Sequence, residues 1–313
     1  MAGTMSGPSP APSERDPVSP LLKLGWGSVA VSVAVLLFKY AAYAVTGSVA
    51  LYSDAIECII NVVAAAAAVL ALSVSARPAD ANHPYGHNKA EYLSAVLEGA
   101  LVLLTAFAIA HQAWLGWQHP HAPSAPVQGI AINAAAGVMN CIWALVLIRV
   151  GRRRRSPALA AGGRHVMSDV WSSGCLLIGF ALVPLTGWLR LDAVLAALVA
   201  ANILRVGFQM TRNSIGGLMD EVTNPGAVAE IRRVISENAE GAIEAHDVRT
   251  RCVGAMTFIE FHLVVPGHMA VQTAHDICDR IERALRLELG DALINIHVEP
   301  EQKAKHKGVV VLP

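Results

Sequence analysis

The sequence predicts an α-helical membrane domain of six transmembrane helices followed by a small water-facing α+β domain. Two observations carry this. Of the 313 residues, 54% are hydrophobic and only 15% charged, with a mean hydropathy of +0.46, whereas an average soluble domain carries about 25% charged residues. The charges are also unevenly placed: the first two thirds of the chain are nearly charge-free between short basic clusters, and the last ~90 residues are ordinarily mixed.

The elements follow in order. Residues 1–20, rich in Pro, Ser and Gly and without the layout of a signal peptide, read as a disordered cytosolic tail. Stretches of about 20 apolar residues place helices at 22–46, 50–76, 90–117, 127–151, 163–187 and 190–212. The link between the second and third holds Arg77, His83, His87 and Lys89, and that between the fourth and fifth holds Arg152 to Arg155. Both are therefore expected on the cytoplasmic side by the positive-inside rule, and an even number of spans puts both termini there too. Pro184 is expected to kink or end the fifth span locally.

After Gly216-Gly217 the hydropathy becomes that of a soluble domain. Asn224-Pro225 reads as a helix start, with Val228, Ile231, Val234 and Ile235 as its apolar stripe. Two β-like runs, 243–252 and 256–265, meet at a turn containing Gly254; a helix over 270–289 and a strand over 293–298 follow. The boundaries are a tail at 1–20, a membrane domain at 21–217, a soluble α-β-β-α-β domain at 218–302 and a tail at 303–313. The order suits an open-faced sheet packed by helices.

Five cysteines, Cys58, Cys141, Cys175, Cys252 and Cys278, are widely spaced with no C-x-x-C, which suggests neither a disulfide framework nor a thiolate zinc site. No P-loop, G-x-G-x-x-G or nucleophile elbow favours an ATP-driven pump or a hydrolase. An intramembrane metalloenzyme is disfavoured as well, because H-E-x-x-H is missing.

Chemistry concentrates in four places. His165 and Asp169 stand four residues apart in the fifth apolar segment. A helix puts them on one face, where an imidazole and a carboxylate suit a borderline ion such as Zn²⁺. The alternative is a hydrogen-bonded pair locking two helices, but ionisable groups at membrane depth are more often functional. The second segment offers two registers at the same spacing, Asp54 with Cys58 or Glu57 with Asn61. Spacing alone leaves both open, and Asp54 also suits a supporting or pathway role. Asp80, His83 and His87 share the loop after the second helix, where they form either an exposed metal site or a surface loop with solvated histidines. In the soluble domain, His246, His262, His275 and His297 with Glu299 recur at element edges.

The runs GSVALYSDAIECIINVVAA, RPADANHPYGHNKAEY, HVMSDVWSS, AHDVRTR, FIEFHL and IHVEP together resemble the cation diffusion facilitator family of divalent-metal/proton antiporters, in its bacterial zinc and iron efflux type; the likeness spans Leu21 to Gln302. It implies a ferredoxin-like, metallochaperone-like soluble domain and a transport site of Glu57, Asn61, His165 and Asp169, which selects between the two registers. Asp80, His83 and His87 match the family's loop site. His246, His262, His297 and Glu299 match its soluble-domain site, with His275 at the bridging position. Lys89 and Asp220 match an ion pair at the dimer centre. The resemblance implies a homodimer, with the cation, protons and membrane lipid as partners and without nucleic acid or organic cofactor. It further implies a multi-pass protein of the bacterial inner membrane, a transporter and not an enzyme.

The expected activity is efflux of a divalent transition metal, Zn²⁺ first and Fe²⁺, Co²⁺, Ni²⁺, Mn²⁺ or Cd²⁺ next, by alternating access with proton exchange. An imidazole's reference pKa of about 6.5 suits such an exchange. The rival is a membrane-anchored metal sensor or metallochaperone scaffold that binds metal without moving it. Glu57 and Asn61 depart from the Asp, or His and Asp, that the family's zinc and iron members usually have at these positions: a longer carboxylate and a neutral amide stand instead. That departure bears on which ion is carried.

Overall fold

The computed structural model describes residues 20–46, 49–119, 127–221, 225–254, 256–306 and 309–310; within these, the side chains at 42, 45–46, 49–57, 127–130, 225, 309–310 and several positions of 176–192 lie outside the description. The N-terminal tail, Gly47-Ser48, most of the link at 118–126 and Asn224 fall outside it as well.

Six long helices make up the first part: α1 (Pro20–Thr46), α2 (Val49–Ser75), α3 (Ala90–Gln118), α4 (Val127–Arg153), α5 (Pro157–Thr186) and α6 (Leu191–Leu218). Among the described residues, five of them (α1, α2, α3, α4 and α6) are long and apolar enough to cross a membrane. The sixth, α5, has 30 residues and lies along α4, α6 and α3, reaching α2 as well. Apolar burial gives little drive between helices in lipid, so small residues that admit close approach decide which helices pair. A Cβ on Gly99 of α3 would stand 2.4 Å from Thr211 Oγ1 and 3.0 Å from Thr211 N on α6. On α5, a Cβ at Gly163 would stand 2.8 Å from the Ile148 backbone N of α4.

Two boundaries differ from expectation by more than two residues. The fifth helix starts at Pro157, not 163, because Ser156 caps it: its backbone oxygen accepts from Ala160 N at 3.1 Å and its hydroxyl from Leu159 N at 3.4 Å. The sixth runs past 212 and through Gly216-Gly217 to Leu218. Gly217 is there for contact, since a Cβ would fall 2.0 Å from the Tyr92 ring.

The second part contains α7 (Pro225–Asn238), β1 (Glu244–Val253), β2 (Met256–Val265), α8 (Val271–Leu289), β3 (Ala292–Pro300) and β4 (Val309–Val310). The sheet order is β3-β2-β1-β4, with β2 and β3 parallel and the other pairs antiparallel. Strand β4 lies inside the stretch expected to be a polar tail; Glu244 and Ala245 of β1 pair with it. Period-2 alternation sends Ile259, Phe261, Leu263 and Val265 of β2, with Ala245 and Ile294, into a core completed by Ile231, Val234 and Ile235 of α7 and Ile277, Ile281 and Leu285 of α8. The helices therefore cover one face, and alternate residues occupy the other.

The parts touch through specific side chains. Tyr92 Oη donates to the Cys252 carbonyl at 3.3 Å, Tyr85 meets the Phe258 ring edge-on at 5.8 Å, and the Arg251 guanidinium lies 4.7 Å from the Phe258 ring centre.

Candidate metal centres

Within the bundle, α2 and α5 bring three of the expected ligands into contact. Asn61 Nδ2 donates to Asp169 Oδ2 at 2.5 Å, and Asn61 Oδ1 lies 2.9 Å from His165 Nε2. One amide thus spans both members of the i, i+4 pair. His165 is 3% exposed. The backbone of Glu57 and Asp54 lies in α2, but their side chains lie outside the described residues. Cys58, the other half of the rival register, is buried against Val35 and Ala136. The helix face that reaches His165 therefore carries Asn61. The donor set suits a divalent transition metal: an imidazole nitrogen, a carboxylate and an amide oxygen.

The loop after α2 folds around Asp80. Its Oδ1 accepts from Asn82 N at 2.9 Å and His83 N at 2.7 Å. The His83 backbone bond leads in holding the Asp80 carboxyl below its usual range. His83 Nδ1 stands 3.1 Å from Asp80 Oδ1, and His87 Nε2 stands 3.4 Å from Oδ2. Ligand atoms of all three lie within 4.8 Å of one another, a spacing that fits one ion.

On the sheet face away from the helices, His246, His262 and His297 are neighbours in register across β1, β2 and β3. Their rings follow one another at 5.3 and 5.0 Å. Glu299 reaches all three: Oε2 to His246 Nε2 at 3.4 Å, Oε1 to His262 Nδ1 at 3.2 Å and Oε1 to His297 Nε2 at 3.8 Å. His275 is not part of this row. It stands on α8, on the opposite layer, exposed and 3.7 Å from Asp279.

Sequence reading missed two acidic neighbours of this row. A β-bulge after His246, with Asp247 at φ 54°, puts Asp247 on the same side as His246. His246, Asp247 and His262 then offer ligand atoms within 4.8 Å. Glu244 Oε1 lies 3.0 Å from His246 Nδ1, the kind of carboxylate contact that orients a ligating imidazole. A bulge has no sequence signature here, and strict alternation would send Asp247 to the core face.

Lys89 Nζ pairs with Asp220 Oδ1 at 2.9 Å within one chain, and Arg251 donates to Asp220 Oδ2 at 3.1 Å. Partial burial works to raise the Asp220 pKa, but the hydrogen bonds and charges of Lys89 and Arg251 outweigh it and hold the carboxyl low. Asp220 takes φ 60°, in the left-handed region, just beyond α6.

Both parts of the chain resemble known proteins. Residues 26–219 match the cation efflux transmembrane domain, and residues 224–301 match the cation efflux protein cytoplasmic domain. An uncharacterised transporter of Synechocystis sp., sll1263, is 38% identical over 278 residues, covering 89% of this chain and 90% of that one. The cation-efflux pump FieF of Serratia proteamaculans is 30% identical over 276 residues, covering 87% and 90%. Among solved structures, the zinc form of CzrB is 45% identical over 28% of this chain and 98% of that one, with TM-score 0.27. The metal-bound C-terminal domain of the CzcD transporter from Thermotoga maritima is 27% identical over 27% and 99%, with TM-score 0.25. With both family domains matched in order over nearly the whole chain, this multi-pass membrane protein belongs to the cation diffusion facilitator family of cation efflux transporters.

Proposed function

We propose that this protein exports a divalent transition metal, Zn²⁺ first, from the cytoplasm across a bacterial inner membrane by alternating access, exchanging it for protons. Glu57, Asn61, His165 and Asp169 are the transport ligands. The observation that carries the reading is the bonded cluster of Asn61, His165 and Asp169 from two helices inside the bundle. A cation arriving there replaces the Nε2 proton that His165 donates to Asn61 and the amide hydrogen on Asp169, and takes the freed imidazole nitrogen, the carboxylate and the Asn61 oxygen as donors. Because carboxylic and imidazole ligands bind metal only when deprotonated, metal binding releases protons and proton binding releases metal.

The loop site of Asp80, His83 and His87 and the soluble-domain site of His246, His262, His297 and Glu299 hold metal as structural or regulatory ligand. Their carboxylate and imidazole donors fit that role. The active form is a homodimer with both termini cytoplasmic, and Lys89 and Asp220 lie at its centre.

Proteoliposomes test the reading. Zn²⁺ flux should rise with an opposing pH gradient, and His165→Ala should lower it by at least about tenfold, the lower end of what loss of a ligand's support costs. Flux that ignores the gradient would sink the coupling. Full flux with Asp169→Ala, alongside loss of metal response with His246→Ala, would favour the sensor or scaffold reading.

A further inference from the structure

Glu98 has no place in the transport site just described, yet it is 1% exposed on α3, two turns inside the bundle. Its Oε2 finds no hydrogen-bond partner among the described residues. It lines one narrow cavity of about 30 Å³ together with Asn61, His165 and Ser32. The Glu98 backbone also approaches the His165 ring. Gly162, one turn before His165 on α5, faces the same carboxylate, and a Cβ there would stand 3.3 Å from Oε2. Glycine thus keeps the space beside the acid open.

A carboxylate taken out of water without a partner is costly unless a proton or a cation joins it. The cavity has room for about one water-sized body, and its wall supplies oxygen from Glu98, Ser32 and Asn61, which are donors a divalent cation accepts. Gly162 precedes His165 in α5, and Glu98 lies near the start of α3, so the acid sits on the side of His165 nearer the Asp80 loop. We infer that Glu98 ligates the transported divalent cation at a second position, one helical turn from His165, between that site and the Asp80 side of the bundle. The carboxylate contributes negative charge beside Asn61, where the amide contributes none. The inference rests on the transport reading of the His165 site.

The test uses the full chain in proteoliposomes, with Zn²⁺ and Cd²⁺ flux measured separately. Glu98→Gln should lower Zn²⁺ flux at least about tenfold, and Glu98→Asp should restore part of it. Glu98→Cys places a soft thiolate in the path and should raise the Cd²⁺/Zn²⁺ flux ratio by about fivefold or more. A residue that only props the helices would not move this ratio, and the ratio can be read on a variant with reduced yield. Wild-type Zn²⁺ flux in Glu98→Gln, or a wild-type ratio in Glu98→Cys, overturns the inference. If His165→Ala abolishes flux while Glu98→Gln transports normally, the Glu98 position alone fails. If His165→Ala transports normally, the transport reading of His165 fails first.

Discussion

Asn61 sets the chemistry of the bundle at the scale of a single residue. Its amide donates to Asp169 and accepts from the His165 ring, so it holds both side chains without adding charge. Replacing it by aspartate removes the donor and adds a carboxylate, which a dication favours. Asn61→Asp is expected to lower the KM for Zn²⁺ by about tenfold and to slow release, read as a fall in maximal flux in vesicles. An unchanged KM would mean that residue 61 does not touch the cation. The His165 and Asp169 pair was legible because helical periodicity and their rarity at membrane depth point the same way. Glu98 was equally visible as a carboxylate in an apolar run, but its polar partner at i, i+4 in the same helix is Ser94, whose hydroxyl is a much weaker metal donor than an imidazole or a carboxylate. Its neighbours come from other helices, Ser32 of α1, Asn61 of α2 and Gly162 of α5 around one cavity.

Glycines and one bulge decide how the elements meet. Gly99 lets α3 lie directly on the Thr211 backbone of α6. A side chain there forces the helices apart, and overpacking costs about 1–3 kcal/mol. Gly99→Leu should therefore lower the thermal midpoint in detergent, whereas the same change at Gly137, which meets nothing within 4 Å, should not. Equal midpoints for the two would remove this account of the α3 and α6 pairing. Helix existence was legible from apolar run length. The start of α5 was not, because its first turns hold Gly162, Gly163 and Arg164 and depend on Ser156 and Pro157 rather than on hydropathy. In the soluble domain the alternation of β2 revealed its core face directly, whereas β4 consists of two residues whose pairing with β1 is a long-range event.

For the whole molecule, Asp220 is the fastening between the parts, joined to Lys89 before α3 and to Arg251 on β1. Its pKa is held below the unfolded value of about 3.9, so its contribution to stability is present above that pH and is lost as pH falls through the folded value. Thermal midpoints of the wild type and Asp220→Asn should differ at pH 6 and draw together as the pH falls below the unfolded value of about 3.9; a difference that stays constant as the pH falls would refute the role. The histidine row has a different bearing. His246, His262 and His297 come from three strands and are neighbours only in one register. Sliding β3 by a single residue against β2 would turn His297 toward the apolar core and bring Ile296 or Val298 to the open face. The row therefore proofreads the sheet: any chain able to gather the three rings has already paired its strands correctly, and a misregistered one is marked by a histidine among aliphatic neighbours.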